Sequence, residues 1–81
     1  MKLDYAERFI KSLEDAPPSI QKAFYKQSHL LLENLRHPSL RAKKYDEARD
    51  IWQARVTRGW RFYFKIIADT YYLIDIIPHP K

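Results

Sequence analysis

The segment from Ile51 to Pro80 most constrains the fold of this 81-residue chain. Two turn-like tripeptides, Thr57-Arg58-Gly59 and Ala68-Asp69-Thr70, divide it into three runs rich in β-branched and aromatic residues. Runs of that composition between turn residues are typical of strands joined by hairpins. The sequence therefore predicts a three-stranded antiparallel meander with strands at Ile51–Val56, Trp60–Ile67 and Tyr71–Ile77.

The two turns set the register of these strands. Gly59, the only glycine in the chain, suits the left-handed position that closes a three-residue hairpin loop. A two-residue second loop would carry Asp75 to the apolar face beside Phe62, and burying an unpaired carboxylate is costly. We therefore expect a three-residue second loop. The expected pairs are Val56 with Trp60, Arg55 with Arg61, Ile67 with Tyr71, Lys65 with Leu73, Tyr63 with Asp75, and Arg61 with Ile77.

Alternation of side chains along these strands predicts one uncharged face and one open polar face. The uncharged face, which should cover the core, comprises Trp52, Ala54, Val56, Phe62, Phe64, Ile66, Tyr72, Ile74 and Ile76. The open face comprises Gln53, Arg55, Arg61, Tyr63, Lys65, Tyr71, Leu73, Asp75 and His79. The open face therefore collects cations, phenols and one imidazole.

The first half of the chain predicts helices. Met1–Tyr5 is a candidate edge strand, and apolar residues recur at helical spacing within Ala6–Asp15. Pro17 and Pro18 end this helix and begin a second one that runs to about Leu35. Its buried stripe includes Phe24, Gln27 and Leu31. The prediction is an α+β domain over residues 1–81 in the order β-α-α-β-β-β, with a helical hairpin on one face of a small antiparallel sheet and Arg36–Asp50 as a connection.

Composition limits the class of protein. Lys and Arg outnumber Asp and Glu by 15 to 10, for a net charge of +5, which favours an anionic partner but also occurs in small domains for solubility. The chain has no cysteine, which excludes disulfides and thiolate chemistry. No apolar run approaches the ~20 residues that span a bilayer, so we expect a soluble cytoplasmic protein with no membrane contact. Three scattered histidines predict neither a metal site nor a cofactor.

Four sequence patterns together resemble a known family. They are HPSL-x-x-KK from His37, IW-x-ARV from Ile51, WRFYF from Trp60, and D-x-x-x-LI-x-I-x-x-H from Asp69 to His79. In this order they resemble the RelE/ParE superfamily of toxins from type II toxin–antitoxin pairs. The resemblance implies a microbial RNase-like fold and a cognate antitoxin. It also implies either an mRNA interferase that cleaves mRNA in the ribosomal A site, as in the RelE branch, or a DNA gyrase inhibitor, as in the ParE branch.

The resemblance also implies functional residues. The arginine of the family's ARV pattern corresponds to Arg55, the arginine of the next strand to Arg61, and the histidine after the last strand to His79. The basic pair before the sheet corresponds to Lys43 and Lys44. The open face adds three further candidates for RNA binding, which are Tyr63, Lys65 and Tyr71.

These residue types suit metal-free RNA cleavage. Such cleavage needs proton transfer at the 2′-hydroxyl and at the leaving 5′-oxygen, and cations on the phosphate. Histidine titrates near neutral pH, and the arginine fork donates two parallel hydrogen bonds to a phosphate. We therefore expect His79 to transfer a proton, Arg55 and Arg61 to hold the scissile phosphate, the lysines to bind flanking phosphates, and Tyr63 or Tyr71 to stack a base.

Two functions remain open from the sequence. The first is a ribosome-dependent endoribonuclease, and the second is a non-catalytic interaction module such as a gyrase inhibitor or an inactive toxin homologue. Asp75 could neutralise an arginine of the open face or orient His79. In the first case the ribosome and mRNA are expected partners. In either case we expect an antitoxin that binds through an acidic helix or an added strand. Without its antitoxin the toxin should be a monomer.

Overall fold

The computed structural model describes residues 1–79, which form two helices and five strands. In chain order they are β1 (Lys2–Tyr5), α1 (Glu7–Asp15), α2 (Pro18–Glu33), β2 (Lys43–Asp46), β3 (Ile51–Thr57), β4 (Trp60–Ile67) and β5 (Thr70–Pro78). The predicted α+β order, the edge strand at the start and the proline break between the helices are all present. Pro18 occupies the first turn of α2, where its missing N–H has no helical partner to lose.

The sheet has the order β1-β5-β4-β3-β2. All neighbours are antiparallel except β1, which pairs in parallel with β5. The prediction of a purely antiparallel sheet was therefore wrong at this edge. The connection predicted over Arg36–Asp50 also contains the short strand β2, which pairs Lys43 with Gln53 and Lys44 with Trp52. Four residues interrupted by a bulge at Tyr45 are too few to produce a recognisable alternation.

The two helices cover one face of the sheet. Phe9 of α1 contacts Phe24 of α2 with ring centroids 5.0 Å apart, and Phe24 meets Phe62 of β4 edge-on at 5.4 Å. These three rings are fully buried and connect both helices to the sheet. Burial of such side chains stabilises a fold by about 1.5–3 kcal/mol each. In residues 1–79, neither helix is both long and apolar enough to cross a membrane.

The hairpin between β3 and β4 differs in detail from the prediction. Arg55 lies opposite Arg61 as expected, but Thr57, not Val56, pairs with Trp60 because Val56 is an extra residue in a bulge. The loop is therefore Arg58-Gly59 alone. Gly59 has a negative φ, so the expected left-handed role of this glycine was wrong.

The hairpin between β4 and β5 has the shorter of the two loops considered from the sequence but keeps the Tyr63–Asp75 pair expected for the longer one. Ile67 pairs with Thr70 across a two-residue loop, yet Tyr63 still pairs with Asp75 because Ile74 forms a bulge between them. One extra residue shifts the strand by one position, so the side chains before it exchange faces. Tyr71 and Leu73, predicted on the open face, are buried against the helices. The expected pairs Ile67 with Tyr71 and Lys65 with Leu73 were wrong for the same reason.

Candidate anion-binding site

A cationic cavity of about 330 Å³ lies on the open face of the sheet. Its lining residues come from four neighbouring segments and are Arg41, Lys43, Gln53, Arg55, Arg61 and His79. Four of them carry a positive charge, and none of the described residues that line the cavity is acidic. Like charges gathered without a counter-ion repel one another, so this arrangement favours an anionic ligand.

Arg55 has the least satisfied side chain in this cavity. Its Nε is buried and has no hydrogen-bond partner among the described residues. Burial, together with the charges of Arg41, Arg61 and Arg58, lowers the pKa of the Arg55 guanidinium below its ordinary value. Arginine nevertheless stays charged in proteins. A buried, charged donor without an acceptor is costly, and the negative charge of an anion in the cavity would offset part of that cost.

Arg61 is held by the backbone of the β3–β4 turn. Its Nη1 donates to the carbonyls of Thr57 at 2.8 Å, Arg58 at 3.1 Å and Trp60 at 3.0 Å. These bonds fix the plane of the guanidinium at the rim of the cavity and satisfy three turn carbonyls at the same time. Arg61 is therefore both a structural residue of the turn and a cation of the site.

The end of β5 delivers His79 to the same place. The His79 N–H donates to the carbonyl of Gly59 at 2.8 Å, which extends the β4–β5 pairing by one step. The imidazole is exposed and lines the cavity. The structure thus brings together all three residues predicted as catalytic, Arg55, Arg61 and His79, with Lys43 beside them.

Arg41 and Gln53 also line the cavity, and the sequence did not single them out as site residues. Arg41 belongs to the irregular connection after α2 and has a left-handed backbone with φ of 46°. Such a φ is uncommon for a non-glycine residue, and strained backbone tends to occur at functional sites. Gln53 could have been found from its place between Lys43 and Tyr63 on the open face, whereas no periodic signal marks Arg41.

Three of the predicted RNA-binding residues lie elsewhere. Lys44 points away from Lys43, forms an ion pair with Asp50, and lies over the ring of Trp52 with its Nζ 5.2 Å from the centroid. Tyr71 is 5% exposed and packs edge-on against Phe64. Its predicted place on the open face was wrong because the bulge at Ile74 reverses the alternation there. Lys65 is half-buried opposite Tyr72, outside the cavity lining.

Tyr63 lies at the boundary between the cavity and a second, apolar depression. Its hydroxyl accepts a hydrogen bond from Gln53 Nε2 at 3.0 Å, and its ring meets that of Tyr45 at 5.0 Å. The depression, of about 190 Å³, is lined by Arg8, Tyr45, Ile51, Tyr63, Ile74, Asp75 and Ile77. We call Tyr45 and Tyr63 the aromatic shelf. Tyr45 is 59% exposed and was not among the residues predicted to bind RNA.

Asp75 does not serve the cavity. It is 8% exposed, and its carboxylate accepts from Ser12 Oγ at 2.7 Å and pairs with Arg8 Nε at 3.0 Å. These contacts fasten α1 to β5, so the expectation that Asp75 neutralises a site arginine or orients His79 was wrong. Across residues 1–79, no three His, Asp or Glu side chains are grouped as metal ligands would be.

Comparison with known proteins rests on structure alone. No protein-family model matches the sequence, and no curated protein matches it significantly. A YoeB/ParE toxin from Agrobacterium tumefaciens superposes with a TM-score of 0.82 at 13% identity, over 99% of this chain and 100% of that one. The chain has the RelE/ParE toxin fold.

Two RelE structures give the same result. The isolated RelE toxin of E. coli is 19% identical with a TM-score of 0.76, over 98% of this chain and 84% of that one. The RelB-RelE antitoxin–toxin complex from Methanococcus jannaschii is matched at 18% identity and a TM-score of 0.77, over 93% of this chain and 88% of the matched one. The RelE/ParE fold predicted from the sequence patterns is therefore confirmed.

Proposed function

We propose that this protein is the toxin of a type II toxin–antitoxin pair and a ribosome-dependent endoribonuclease that cleaves mRNA without a metal ion. The observation that carries the proposal is the cavity lined by the cations Arg41, Lys43, Arg55 and Arg61, in which the Arg55 Nε is buried without a partner among the described residues. Arginine binds a phosphate through two parallel hydrogen bonds and lysine binds it as a compact charge, so this cluster fits the phosphodiester of a nucleic acid. The fold, which this chain shares with structures described as toxins, supports the same proposal.

The chemistry follows from the groups around the cavity. The 2′-oxygen of the substrate attacks the adjacent phosphorus while the bond from phosphorus to the 5′-oxygen breaks, which leaves a 2′,3′-cyclic phosphate and a 5′-hydroxyl. Arg55 and Arg61 stabilise the extra negative charge on the phosphorus-bound oxygens, a contribution that requires donors already aimed at the developing charge. His79, the one imidazole among the described lining residues, accepts the proton of the 2′-hydroxyl and returns it to the leaving 5′-oxygen, so that the step balances.

The aromatic shelf supplies a place for a base next to that phosphate. Unpaired bases stack on aromatic side chains, and stacking contributes about 1–3 kcal/mol per base. Tyr63 is joined to Gln53 of the cavity by a hydrogen bond, so a base on the shelf would belong to a nucleotide bound at the cavity. Tyr63 thus keeps the RNA-binding role predicted for it, now together with Tyr45.

The proposal includes a set of partners. The substrate is mRNA bound to the ribosome, so the protein acts in the cytoplasm. Related toxin folds have been crystallised with RelB antitoxins, and we propose that a cognate antitoxin also binds this chain. An acidic segment is the expected ligand for the cationic cavity, where it would compete directly with the mRNA phosphate.

The proposal is tested in a cell-free translation reaction in which new mRNA 5′ ends are mapped. The parent chain should produce cuts within codons of translated mRNA and none in untranslated RNA. Arg55→Met and His79→Ala should each reduce cutting by at least about 100-fold, the size expected for loss of a charge-stabilising or proton-transferring group. Lys22→Met, at an exposed position on α2, removes a positive charge outside the cavity and serves as the control.

A parallel supercoiling assay addresses the non-catalytic alternative. Inhibition of DNA gyrase with intact mRNA would contradict the ribonuclease proposal and favour the ParE-type function. Unchanged cutting in Arg55→Met would also contradict it, because the mechanism assigns the phosphate to that residue.

A further inference from the structure

We propose that Gln27 is a positioning residue for the cationic cavity, since its side-chain amide replaces a missing strand partner at Arg55 and thereby holds Arg41 in place. The inference rests on the anion site described above. Gln27 belongs to α2, on the other side of the sheet from the cavity, and does not line the cavity.

The sheet register shows where a partner is missing. β2 pairs Lys43 with Gln53 and Lys44 with Trp52, so the same register continued by two residues would place Arg41 opposite Arg55. The strand instead begins at Lys43, and Arg41 has the left-handed φ of 46°. The backbone N–H and carbonyl of Arg55 therefore need other partners on this side of β3.

Two other groups provide those partners. The Arg55 N–H donates to the carbonyl of Leu40 at 2.7 Å, and the Arg55 carbonyl accepts from Gln27 Nε2 at 2.9 Å. Gln27 Nε2 also donates to the carbonyl of Ser39 at 3.2 Å, while Ser39 Oγ donates to Gln27 Oε1 at 3.3 Å. The Gln27 side chain, 4% exposed, thus joins β3 at Arg55 to the α2–β2 connection at Ser39.

This arrangement explains how a strained arginine is held. The two residues before Arg41 are fixed, because Ser39 is bonded to Gln27 and Leu40 is fully buried and bonded to Arg55. Lys43, two residues after Arg41, is held in β2. A backbone in an unfavourable region persists only when its surroundings over-determine it. Without Gln27, Arg41 is expected to relax to a negative φ and its guanidinium to leave the cavity.

The first test measures the backbone of Arg41 in the free protein. The three-bond N–H to Hα coupling is read together with the intraresidue N–H to Hα NOE, because left-handed and moderately negative φ values give similar couplings and only the left-handed residue gives a strong NOE. Gln27→Met should lose the left-handed combination that the parent shows. Ser28→Ala is the matched control, because Ser28 is also buried on α2 and bonds only to the Tyr25 carbonyl of its own helix. Ser28→Ala should keep the parent value. If Gln27→Met keeps it as well, the proposal is overturned.

The second test measures binding of a short single-stranded RNA over a range of salt concentrations. Loss of one phosphate contact should reduce the slope of log K against log salt by about 0.7 and weaken binding about 10-fold. Gln27→Met and Arg41→Ala should show this same change, and the double variant should show no more than either alone. Full additivity, or affinity equal to that of Ser28→Ala, would overturn the proposal.

A milder variant covers the case in which Gln27→Met does not fold. Ser39 is exposed, and Ser39→Ala removes only its hydrogen bond to Gln27 Oε1. A smaller loss of RNA affinity with a partial change in the Arg41 coupling is expected, and no change in either would contradict the inference. The coupling measurement also separates the two proposals. A parent chain that neither binds nor cleaves RNA would refute the proposed function, while the conformation of Arg41 would still decide the role of Gln27.

Discussion

Arg55 and Arg61 lie directly opposite each other on β3 and β4, with no acidic residue among the described residues that line the cavity around them. Like charges at opposed positions of an antiparallel pair destabilise a sheet. Here the cost is increased by burial of the Arg55 Nε without a partner. In the absence of an anion, the opposed pair therefore lowers the stability of the fold.

Arg55→Met is therefore expected to raise the unfolding temperature while weakening RNA binding about 10-fold, the effect of one lost phosphate contact. Methionine fills a similar volume but removes both the repulsion and the unsatisfied donor. Differential scanning calorimetry and an RNA-binding titration measure the two effects. Arg58→Met is the control, since Arg58 is an exposed residue of the turn that adds to the positive field at Arg55 without lining the cavity. A fall in unfolding temperature for Arg55→Met would show that Arg55 stabilises the fold.

Inorganic phosphate should stabilise the parent chain more than chloride does at equal ionic strength. A ligand that binds only the folded state raises its free energy of unfolding in proportion to the logarithm of its concentration above the dissociation constant. The measurement is the unfolding temperature across a phosphate series. Arg55→Met should keep only the general stabilisation that phosphate gives folded proteins through exclusion from their surface, and should lose the additional gain shown by the parent. Equal responses to the two salts in the parent chain would mean that the cavity does not select phosphate.

Local patterns were enough to predict the cationic half of this site. Arg55 and Arg61 come together because they flank one short hairpin, and an error of one residue in its loop was cancelled by the bulge at Val56. His79 follows from the β4–β5 pairing, whose predicted and observed registers agree from the Tyr63–Asp75 pair to the end of β5. The helical layer followed from the apolar spacing and the two prolines, and the family resemblance added the candidate roles of Arg55, Arg61 and His79.

The other features of the site depend on loop lengths, β-bulges and a left-handed φ, which the alternation of apolar and polar residues does not predict. Tyr71 was misplaced because the second hairpin has a two-residue loop, and the bulge at Ile74 then restores the register. Asp75 avoids the apolar face as predicted, but the bulge at Ile74 achieves this and not a longer loop. Arg41 and Tyr45 escaped notice because one has a left-handed φ in a connection and the other is the bulge residue of a four-residue strand.

The two hairpin turns should respond differently to exchange of glycine and alanine: the free energy of unfolding should rise at one turn and hardly change at the other. Ala68 has a φ of 53°, a conformation that costs a residue with a Cβ about 1–2 kcal/mol. Ala68→Gly should therefore stabilise the protein, by up to about 1 kcal/mol after the entropy of glycine is subtracted. Gly59 has a negative φ, and a Cβ built there meets nothing within 4 Å. Gly59→Ala should thus change stability by less than about 0.5 kcal/mol. Urea unfolding measures both, and a larger loss at Gly59 would contradict the observed turn.

Burial of Tyr71 should make the protein sensitive to alkali. Burial raises the pKa of its phenol above the ordinary value of 10.0, so the folded state holds its proton at a pH where the unfolded state has released it. The stabilisation is complete below pH 10 and is lost as the pH rises through the folded pKa. Tyr71→Phe keeps the edge-on contact with Phe64 and should unfold less readily than the parent above pH 10, while matching it at pH 7. Tyr72→Phe, which removes a half-buried phenol at the next position of β5, is the control for urea unfolding across this range. Superimposable alkaline profiles for the parent and Tyr71→Phe would mean that the phenol at position 71 is hydrated. That result would contradict the register that places Tyr71 beneath the helices.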